Sequence, residues 1–353
     1  MLEALRLRLD RLGRPLRFME VCGTHTHAFS STGLRHLLEG RLELRSGPGC
    51  PVCVTSATDV GRALYLARRS DVILCTYGDM MRVPGGGSSL ASERARGADV
   101  RVVYSAADAL DIADKESDRQ VVFLGVGFET TAPALALALE RARGSDADNF
   151  RILSLQKTLP GALVSLLSSG DIGLDGLILP GHVATVAGRS AFDFVAADLG
   201  LPAAVVGFEP VDLLAGLLRL VDGVASGNRR VDNAYPRAVR DEGNPRARAL
   251  VEKYFRPVDA EWRGLGTVPD SGLRLRADFA GFDAADMIPR DLAPAGDPPG
   301  CRCADVLTGA ILPGECALFG DGCTPRDPAG PCMVSSEGAC AAHYRYGGGA
   351  DRG

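Results

Sequence analysis

Residues 18–29 read FMEVCGTHTHAF, and this stretch decides both the fold class and where function is sought. It begins inside a short β-rich apolar run, RFMEVCG (Arg17–Gly23). The run ends at Cys22, and His25 and His27 follow in the next loop, two of only five histidines in the chain. A thiolate and two imidazoles after a strand indicate a metal site or a thiol reaction. The alternatives are a cysteine that fills the core and a histidine that caps the next helix.

Seven further β-rich runs follow this first one, about 25 to 30 residues apart. Such spacing leaves room for one crossover helix between strands, which favours βαβ units and parallel sheets. Four strands followed by four strands predict two Rossmann-like α/β domains over residues 1–115 and 116–235, before a third domain over 236–353. The further runs are Arg41–Gly47, Asp71–Gly78, Val100–Ala106, Gln120–Glu129, Arg151–Lys157, Asp175–His182 and Pro202–Glu209. Beyond residue 235 we expect a helix and connectors, and then a Gly-, Pro- and Cys-rich tail.

The composition of the 353-residue chain is that of a soluble globular protein, with 46% hydrophobic and 24% charged residues. A net charge of -5 gives no electrostatic footprint for nucleic acid. No apolar run approaches the roughly 20 residues that span a bilayer. The N-terminal stretch MLEALRLRLDRLGRPLRF predicts an amphipathic helix rather than a secretory signal. We therefore expect a cytoplasmic protein that binds neither nucleic acid nor membrane.

The ten cysteines lie near the two ends of the chain. Because the cytosol keeps most thiols reduced, clustered cysteines there indicate metal binding or redox chemistry. Cys50 and Cys53 form a C-x-x-C pair in GPGCPVC, which is either a dithiol–disulfide couple or half of a zinc site. Zinc would need Cys22 with His25 or His27 as the other ligands. Two buried cysteines in a turn are the alternative, but the surrounding prolines and glycines favour an exposed loop.

Polar residues also follow strands of the second half. Glu129, Thr130 and Thr131 lie in GFETTAP, where hydroxyls and helix-start amides suit an anion, although a threonine can simply cap the helix. His182 in LPGHV is either an acid–base group or a structural histidine. Because parallel sheets bind ligands at the carboxyl ends of their strands, these loops and CGTHTH predict a ligand cleft between two facing domains.

The tail contains six cysteines in a segment that cannot bury a large core and therefore needs a staple. Four have the spacing C-x14-C-x6-C-x16-C and two lie among them: Cys301, Cys316, Cys323 and Cys340, with Cys303 and Cys332. Such a set fits four thiolate ligands of a [4Fe–4S] cluster plus a spare pair. A structural zinc site and three disulfides are the alternatives. The reducing compartment argues against disulfides, and the lack of two compact C-x-x-C pairs argues against zinc.

Together these blocks resemble the HypD family of hydrogenase maturation proteins along nearly the whole chain. The resemblance rests on MEVCGTHTH, SGPGCPVCVT, TYGDMMRVPG, GFETTAP, LPGHV and the tail CTPRDPAGPCMVSSEGACAAHYRYG. It implies two Rossmann-like domains plus a C-terminal Cys-rich iron–sulfur domain. It also implies a scaffold that assembles the Fe(CN)2CO unit of [NiFe]-hydrogenase together with HypC. HypE, with HypF, would supply cyanide, and the hydrogenase large-subunit precursor would receive the product.

Residue roles follow from the same resemblance. Cys22 would hold the iron together with a cysteine of HypC, and Cys50 and Cys53 would form a redox-active pair beside it. The cluster ligands would be Cys301, Cys316, Cys323 and Cys340. The second dithiol–disulfide couple, reminiscent of ferredoxin–thioredoxin reductase, would be Cys303 and Cys332. The groups around the iron or its cyanide would be His25, His27, Glu129, Thr130, Thr131 and His182.

These roles suggest a relay of electrons from cluster to tail couple, to the C-x-x-C pair, and to the iron. Met80 and Met81 offer an adaptable apolar contact for HypC. Such a protein is a redox-active assembly scaffold rather than a conventional turnover enzyme. One alternative is a [4Fe–4S] dithiol–disulfide oxidoreductase that acts on protein disulfides. Another is a binding module with zinc in the tail and no redox role.

Overall fold

The computed structural model describes residues 1–145, 147–168 and 172–347 of the chain. All eight expected strands are present, most of them shorter than the apolar runs that predicted them, and three more follow. In chain order the strands are β1 Leu16–Glu20, β2 Leu42–Ser46, β3 Val72–Thr76, β4 Val100–Val102, β5 Gln120–Gly127, β6 Phe150–Lys157, β7 Gly176–Pro180, β8 Ala203–Val206, β9 Val231–Asn233, β10 Phe255–Trp262 and β11 Gly266–Leu275.

Helices cover both sheets and fill the tail. The α-helices are α1 Leu2–Arg11, α2 Gly23–Ser31, α3 Leu34–Leu37, α4 Pro51–Val54, α5 Ala57–Ala67, α6 Leu90–Ala95, α7 Ala106–Ala113, α8 Ala132–Arg143, α9 Leu159–Ser168, α10 Gly181–Ala187, α11 Phe194–Ala197, α12 Pro210–Ser226, α13 Pro245–Tyr254, α14 Cys303–Leu307, α15 Pro331–Val334 and α16 Ala339–Tyr346. Short 3-10 helices are Gly78–Arg82, Ser190–Phe192, Ala277–Phe282, Ala284–Met287 and Pro313–Glu315. No helix in the described part of the chain combines the length and apolar character that crossing a bilayer requires.

The strands form two separate sheets in which parallel pairing dominates. The first sheet has the order β2-β1-β7-β8-β9, and all its neighbours are parallel. The second has the order β10-β11-β6-β5-β3-β4 and is parallel from β6 to β4. The α/β prediction with parallel sheets is therefore confirmed.

The expected grouping of the strands, four and then four, is wrong. The chain leaves the first sheet after β2, builds the parallel part of the second with β3 to β6, and returns to the first with β7. Strand β7 pairs directly with β1, so that Phe18 lies opposite Gly176. A Cβ at Gly176 would press on the ring of Phe18. Each sheet therefore contains strands from both expected domains, 1–115 and 116–235. The spacing of strands and helices is the same in the two sheets, so it does not show which sheet a strand joins.

Residues after 235 contain more strand than expected. The helix is present as α13, but it runs directly into the hairpin of β10 and β11, which pairs antiparallel with β6. The two strands contain two prolines and many exposed polar residues, so the hairpin lacks the apolar run by which the other strands were recognised. Its end is well anchored: Trp262 is buried, donates from Nε1 to the Ser271 hydroxyl at 2.8 Å, and stacks on Phe128.

The Cys-rich tail has only short helices and packs onto the loops at the carboxyl ends of β1 and β2. Helix α15 lies against α4, and α16 lies against α2. The His27 ring meets Tyr346 edge-on, with Nε2 3.2 Å from the tyrosine hydroxyl. The tail therefore closes over the loop that holds Cys22.

Candidate thiol and metal site

Cys22 caps the start of α2 in an extended conformation, and its residue is only 8% exposed. The backbone N–H groups of His25 and Thr24 lie near its thiol and act to lower the thiol pKa. Burial is nevertheless the largest influence and raises the pKa of Cys22 to about 11, with a further contribution from the nearby Glu337 carboxylate. At neutral pH the thiol is therefore protonated, and the nearby N–H groups offset only part of the effect of burial.

The loops after β1 and β2 touch through two glycines. The amide of Gly23 donates to the carbonyl of Gly49 at 2.9 Å. A Cβ at Gly49 would overlap the backbone of Val21 and Cys22, and one at Gly23 would press on Glu337 and on the Cβ of Cys50. The absence of side chains at both positions lets the Cys22 loop lie directly beside the C-x-x-C loop.

Cys50 and Cys53 form a disulfide across α4, with their Cα atoms 5.2 Å apart. Cys50 is the N-cap of this short helix, and its sulfur accepts the N–H of Cys53 at 3.2 Å. Both residues are buried, so the expectation of an exposed loop is wrong. The physical reason is that α15 of the tail packs over α4.

The two cysteine pairs of the chain are neighbours. Cys303 and Cys332 form the second disulfide, with Cα atoms 6.1 Å apart. The Cys53 sulfur lies 4.0 Å from the carbonyl oxygen of Pro331, the residue that immediately precedes Cys332. The structure therefore brings together the C-x-x-C pair and the tail pair, which are about 250 residues apart in sequence.

The remaining tail cysteines surround one apolar cavity. Cys301, Cys316, Cys323 and Cys340 are free thiols and line this cavity together with Cys303 and Cys332. Burial raises the pKa of Cys340 far above its usual range, and the other three thiols raise it further, which reflects how close they are. The amide of Ala329 donates to the Cys323 sulfur at 3.3 Å.

This donor set fits an iron–sulfur cluster in type and number. Four thiols, an apolar wall and an N–H donor to sulfur are the features that hold such clusters and tune them. Within the described ranges, no three His, Cys, Asp or Glu side chains converge closely enough to hold a single metal ion.

The two imidazoles of the CGTHTH loop have different surroundings. His25 is fully buried, and its Nε2 lies 3.0 Å from the Gly207 carbonyl and 3.2 Å from that of Val206, so Nε2–H is the donor. Burial lowers the pKa of His25 to about 4, and the ring is therefore neutral. His27 faces α16 instead, as described above.

Phe208 makes stacking contacts with His25 and with a second histidine, His182. The His25 ring stacks on one side of Phe208 with centroids 4.6 Å apart, and the exposed His182 ring stacks on it at 3.9 Å. Although the residue is exposed, partial desolvation by its neighbours lowers the pKa of His182, while the Glu337 carboxylate raises it. His182 therefore lies near both His25 and the acid beside Cys22.

The GFETTAP residues lie at a different place, at the end of β5 in the second sheet. Glu129 lines a separate cavity of about 400 Å³ that also reaches α10 and α13. Its Oε1 accepts the Leu159 amide at 2.8 Å, while Oε2 is buried without a hydrogen-bond partner among the described residues. Thr131 donates to Gln156, and Thr130 is exposed. A role for these three near the iron stays a prediction.

The methionines expected to form an exposed contact are not available for one. Met80 is 1% and Met81 6% exposed, and both belong to the main hydrophobic core. The GDMMR segment is a 3-10 helix, which turns both side chains inward. The prediction of an apolar methionine patch is therefore wrong.

A protein-family model described as "HypD: Hydrogenase formation hypA family" matches residues 1–347 of the chain. The chain belongs to the HypD family. The hydrogenase maturation factor HypD of Cupriavidus necator is 46% identical over 346 residues, covering 96% of this chain and 91% of the relative. The factor of the same name from Escherichia coli (strain K12) is 45% identical over 351 residues, covering 98% and 94%. That of Rhizobium leguminosarum bv. viciae is 47% identical over 342 residues, covering 95% and 89%.

Two residues of this HypD chain were missed by reasoning from sequence. Glu337 accepts the Thr24 hydroxyl at 2.7 Å and interacts electrostatically with Cys22 and His182. The sequence feature that could have identified Glu337 is its position in SSEGAC, where it places a carboxylate between Cys332 and Cys340. Phe208 was hidden because an aromatic residue at the end of a strand usually belongs to the core.

We predict that Gly49→Ala destabilises the protein by about 3 kcal/mol, because its Cβ overlaps backbone that cannot move without displacing Cys22. Urea unfolding measures the effect. Gly281→Ala is the matched control, since a Cβ there meets nothing within 4 Å. Equal midpoints for the two variants would contradict the close approach of the loops.

We also predict a pH-dependent effect of Glu129→Gln. Burial raises the pKa of Glu129 from its ordinary 4.5 to about 7. Below about pH 4.5 the carboxyl is protonated in the folded and in the unfolded protein, so it adds no pH dependence to the free energy of unfolding. Between the two pKa values the folded state keeps a proton that the unfolded chain loses, so stability falls as pH rises, by about 3 kcal/mol in total above pH 7.

The glutamine variant lacks this loss. Its stability relative to the unaltered protein should therefore increase from about pH 4.5 to about pH 8, as measured by urea unfolding at both. Thr130→Ala, at the exposed neighbour, is the control and should show a difference independent of pH. A constant difference for Glu129→Gln would mean that the carboxyl titrates normally.

Proposed function

We propose that this chain is a hydrogenase maturation factor that holds iron while the Fe(CN)2CO unit of [NiFe]-hydrogenase is assembled on it, together with HypC. Cyanide comes from HypE with HypF, and the hydrogenase large-subunit precursor receives the unit. The observation that carries the proposal is the contiguity of the sulfur groups. The Cys22 loop touches the Cys50–Cys53 loop, that disulfide adjoins Cys303–Cys332, and the second disulfide lines the four-thiol cavity.

Cys22 is the residue that binds the substrate iron. Its thiol must lose a proton to do so, and the N–H groups of Thr24 and His25 support the resulting thiolate. A soft thiolate suits iron that carries cyanide and carbon monoxide. His25 is neutral and fixed by backbone carbonyls, so it shapes the site without adding charge.

The four free tail thiols hold a [4Fe–4S] cluster in this proposal. Cys301, Cys316, Cys323 and Cys340 are its ligands, and bound there the cluster supplies single electrons. The apolar residues of the cavity wall exclude water, and the Ala329 amide stabilises charge on Cys323.

The two cysteine pairs exchange two electrons and two protons. When Cys303 and Cys332 are reduced, one thiolate attacks the Cys50–Cys53 disulfide, and a mixed disulfide forms as one Cys50–Cys53 sulfur leaves as a thiolate. The second tail thiolate then attacks the mixed disulfide. The products are an oxidised tail pair and a reduced Cys50–Cys53 pair beside Cys22, where reducing equivalents are needed. The chain acts as an assembly scaffold with redox activity.

The adjacency of the two disulfides also favours a second candidate function, a cluster-containing dithiol–disulfide oxidoreductase that acts on other proteins. Such an enzyme would reduce a disulfide substrate catalytically without HypC or iron at Cys22. The scaffold would instead require both.

We predict that Cys22→Ala keeps the iron of the tail but loses the additional iron and the cyanide and carbonyl infrared bands. The measurement is iron counting and infrared spectroscopy on protein co-purified anaerobically with HypC. Cys75→Ala is the control, because that buried cysteine lies in the second core and should leave both signals intact. Bands that survive in Cys22→Ala would remove Cys22 from the ligand role.

We further predict that a double variant, Cys50→Ser with Cys303→Ser, forms a Cys53–Cys332 disulfide on mild oxidation. The expectation rests on the 4.0 Å approach of the Cys53 sulfur to the backbone beside Cys332. Mass spectrometry of the digested protein identifies the linked peptides. Cys75, which is equally buried, serves as the internal control and should stay unlinked. A folded variant without the Cys53–Cys332 link would exclude direct exchange through these two sulfurs.

A further inference from the structure

Strand β6 borders a cavity in the second sheet, on the side that faces the β10–β11 hairpin. With its other neighbour, β5, it pairs at seven positions, but with β11 it pairs only at Gln156 and Lys157. A single bridge from Ile152 to Asp283 closes the other end of the gap. The splayed strands enclose a cavity of about 550 Å³, which is within the range of small-molecule sites.

Two oppositely charged side chains, Lys157 and Asp59, are buried in the wall of this cavity. The side chain of Lys157 is 3% exposed and that of Asp59 is 7% exposed. The Lys157 Nζ lies 3.4 Å from Oδ2 of Asp59 and donates to the Glu261 carbonyl at 2.7 Å. The ring of Trp262 lies on a further side, with its centroid 5.6 Å from Nζ. The sulfur chemistry proposed above does not use this pair.

The hydrogen-bonding capacity of the pair is not filled. An ammonium has three N–H donors, and among the described residues Lys157 has one good acceptor and the long contact to Asp59. The other carboxylate oxygen, Oδ1, accepts from Arg62 at 3.0 Å, so Oδ2 has only the long contact to the lysine. Because buried polar groups without partners are costly, the pair has one donor and one acceptor available for a ligand.

The choice of lysine at this position is unusual for the chain. Only three of its 39 basic residues are lysines, and Lys115 and Lys253 are exposed. An arginine would bring a planar fork of five donors, whereas a lysine brings one compact ammonium. A compact cation leaves room beside Asp59 for a further polar group.

More exposed charges also line the cavity. Arg274 pairs with Asp283 at 2.8 Å and with Asp286 at 3.3 Å, and Arg290 is exposed. Water screens these charges more than the buried pair. The buried pair therefore dominates the choice of ligand.

We propose that this cavity binds a small ligand that carries a primary carboxamide on an apolar body. The amide oxygen accepts from Nζ of Lys157, and the amide nitrogen donates to Oδ2 of Asp59. The apolar body packs on side chains that line the same cavity, such as Leu155, Val258 and Ile288. A neutral amide suits a pair whose charges cancel, whereas Asp59 repels an anion and Lys157 repels a cation.

The test uses three compounds that share one ring and differ in one polar group: benzamide, benzoate and benzylamine. Ligand-observed nuclear magnetic resonance on the full-length protein at neutral pH measures the dissociation constant of each. Benzamide should bind about tenfold more tightly than either charged compound, because it makes both hydrogen bonds without repulsion. Equal or tighter binding of benzoate or benzylamine, or no saturable binding of benzamide, would overturn the proposal.

Two variants should reverse the order of affinity. Lys157→Met leaves Asp59 able to accept a cation, so benzylamine should become the preferred compound, and benzamide should weaken about tenfold. Asp59→Asn leaves the charge of Lys157 without its counterion, so benzoate should become preferred. A purely structural role for the pair would lower thermal stability without reversing the order, and an order unchanged in both folded variants rejects the proposal.

Lys253→Met is the matched control. Lys253 forms an exposed pair with Glu140 at 2.5 Å and is not among the described residues that line the cavity. It should leave all three dissociation constants unchanged. If neither cavity variant folds, the order of the three compounds on the unaltered protein decides, and a charged compound at the top of that order rejects the proposal.

Discussion

The contact between Gly23 and Gly49 is the constraint on which the candidate site depends. A hydrogen bond of 2.9 Å joins the two loops, and neither residue has room for a side chain. Because the loops after β1 and β2 meet this closely, Cys22 lies beside Cys50, and space remains above Gly23 for Glu337. A methyl group at either position would separate the thiol from the disulfide or from the carboxylate. Two glycines thus fix the spacing of three reactive groups.

The order of strands in the first sheet explains which polar loops meet. His25, His182 and Phe208 follow β1, β7 and β8, and these strands are neighbours in the sheet. Parallel neighbours deliver their following loops to one edge, and there both histidines stack on Phe208. Glu129 follows β5 in the second sheet, and this places it at a different cavity. Sheet membership, which sequence spacing does not encode, separates these residues.

Sequence reasoning was therefore successful where local pattern decides and unsuccessful where tertiary packing decides. Apolar runs located all eight early strands. The division of the tail cysteines into four free thiols and the Cys303–Cys332 pair came from the family resemblance and not from spacing. The same patterns could not show that β7 pairs with β1, because the crossover rhythm is identical in both sheets. Nor could they show that the C-x-x-C pair is buried, since its cover comes from a tail about 280 residues further along the chain. The hairpin of β10 and β11 was missed because its outward side chains are polar.

The tail links the stability of its own cysteines to the geometry of Cys22. It has only short helices and gains its order from packing on α2 and α4 and from the Cys303–Cys332 bond. Two of its side chains contact the Cys22 helix directly, Glu337 through Thr24 and Tyr346 through His27. Cys340 lies between these two contacts in sequence, on the helix that carries Tyr346. The segment that carries Cys340 therefore also supplies the carboxylate beside Cys22, so the four-thiol cavity and the Cys22 loop share one supporting element.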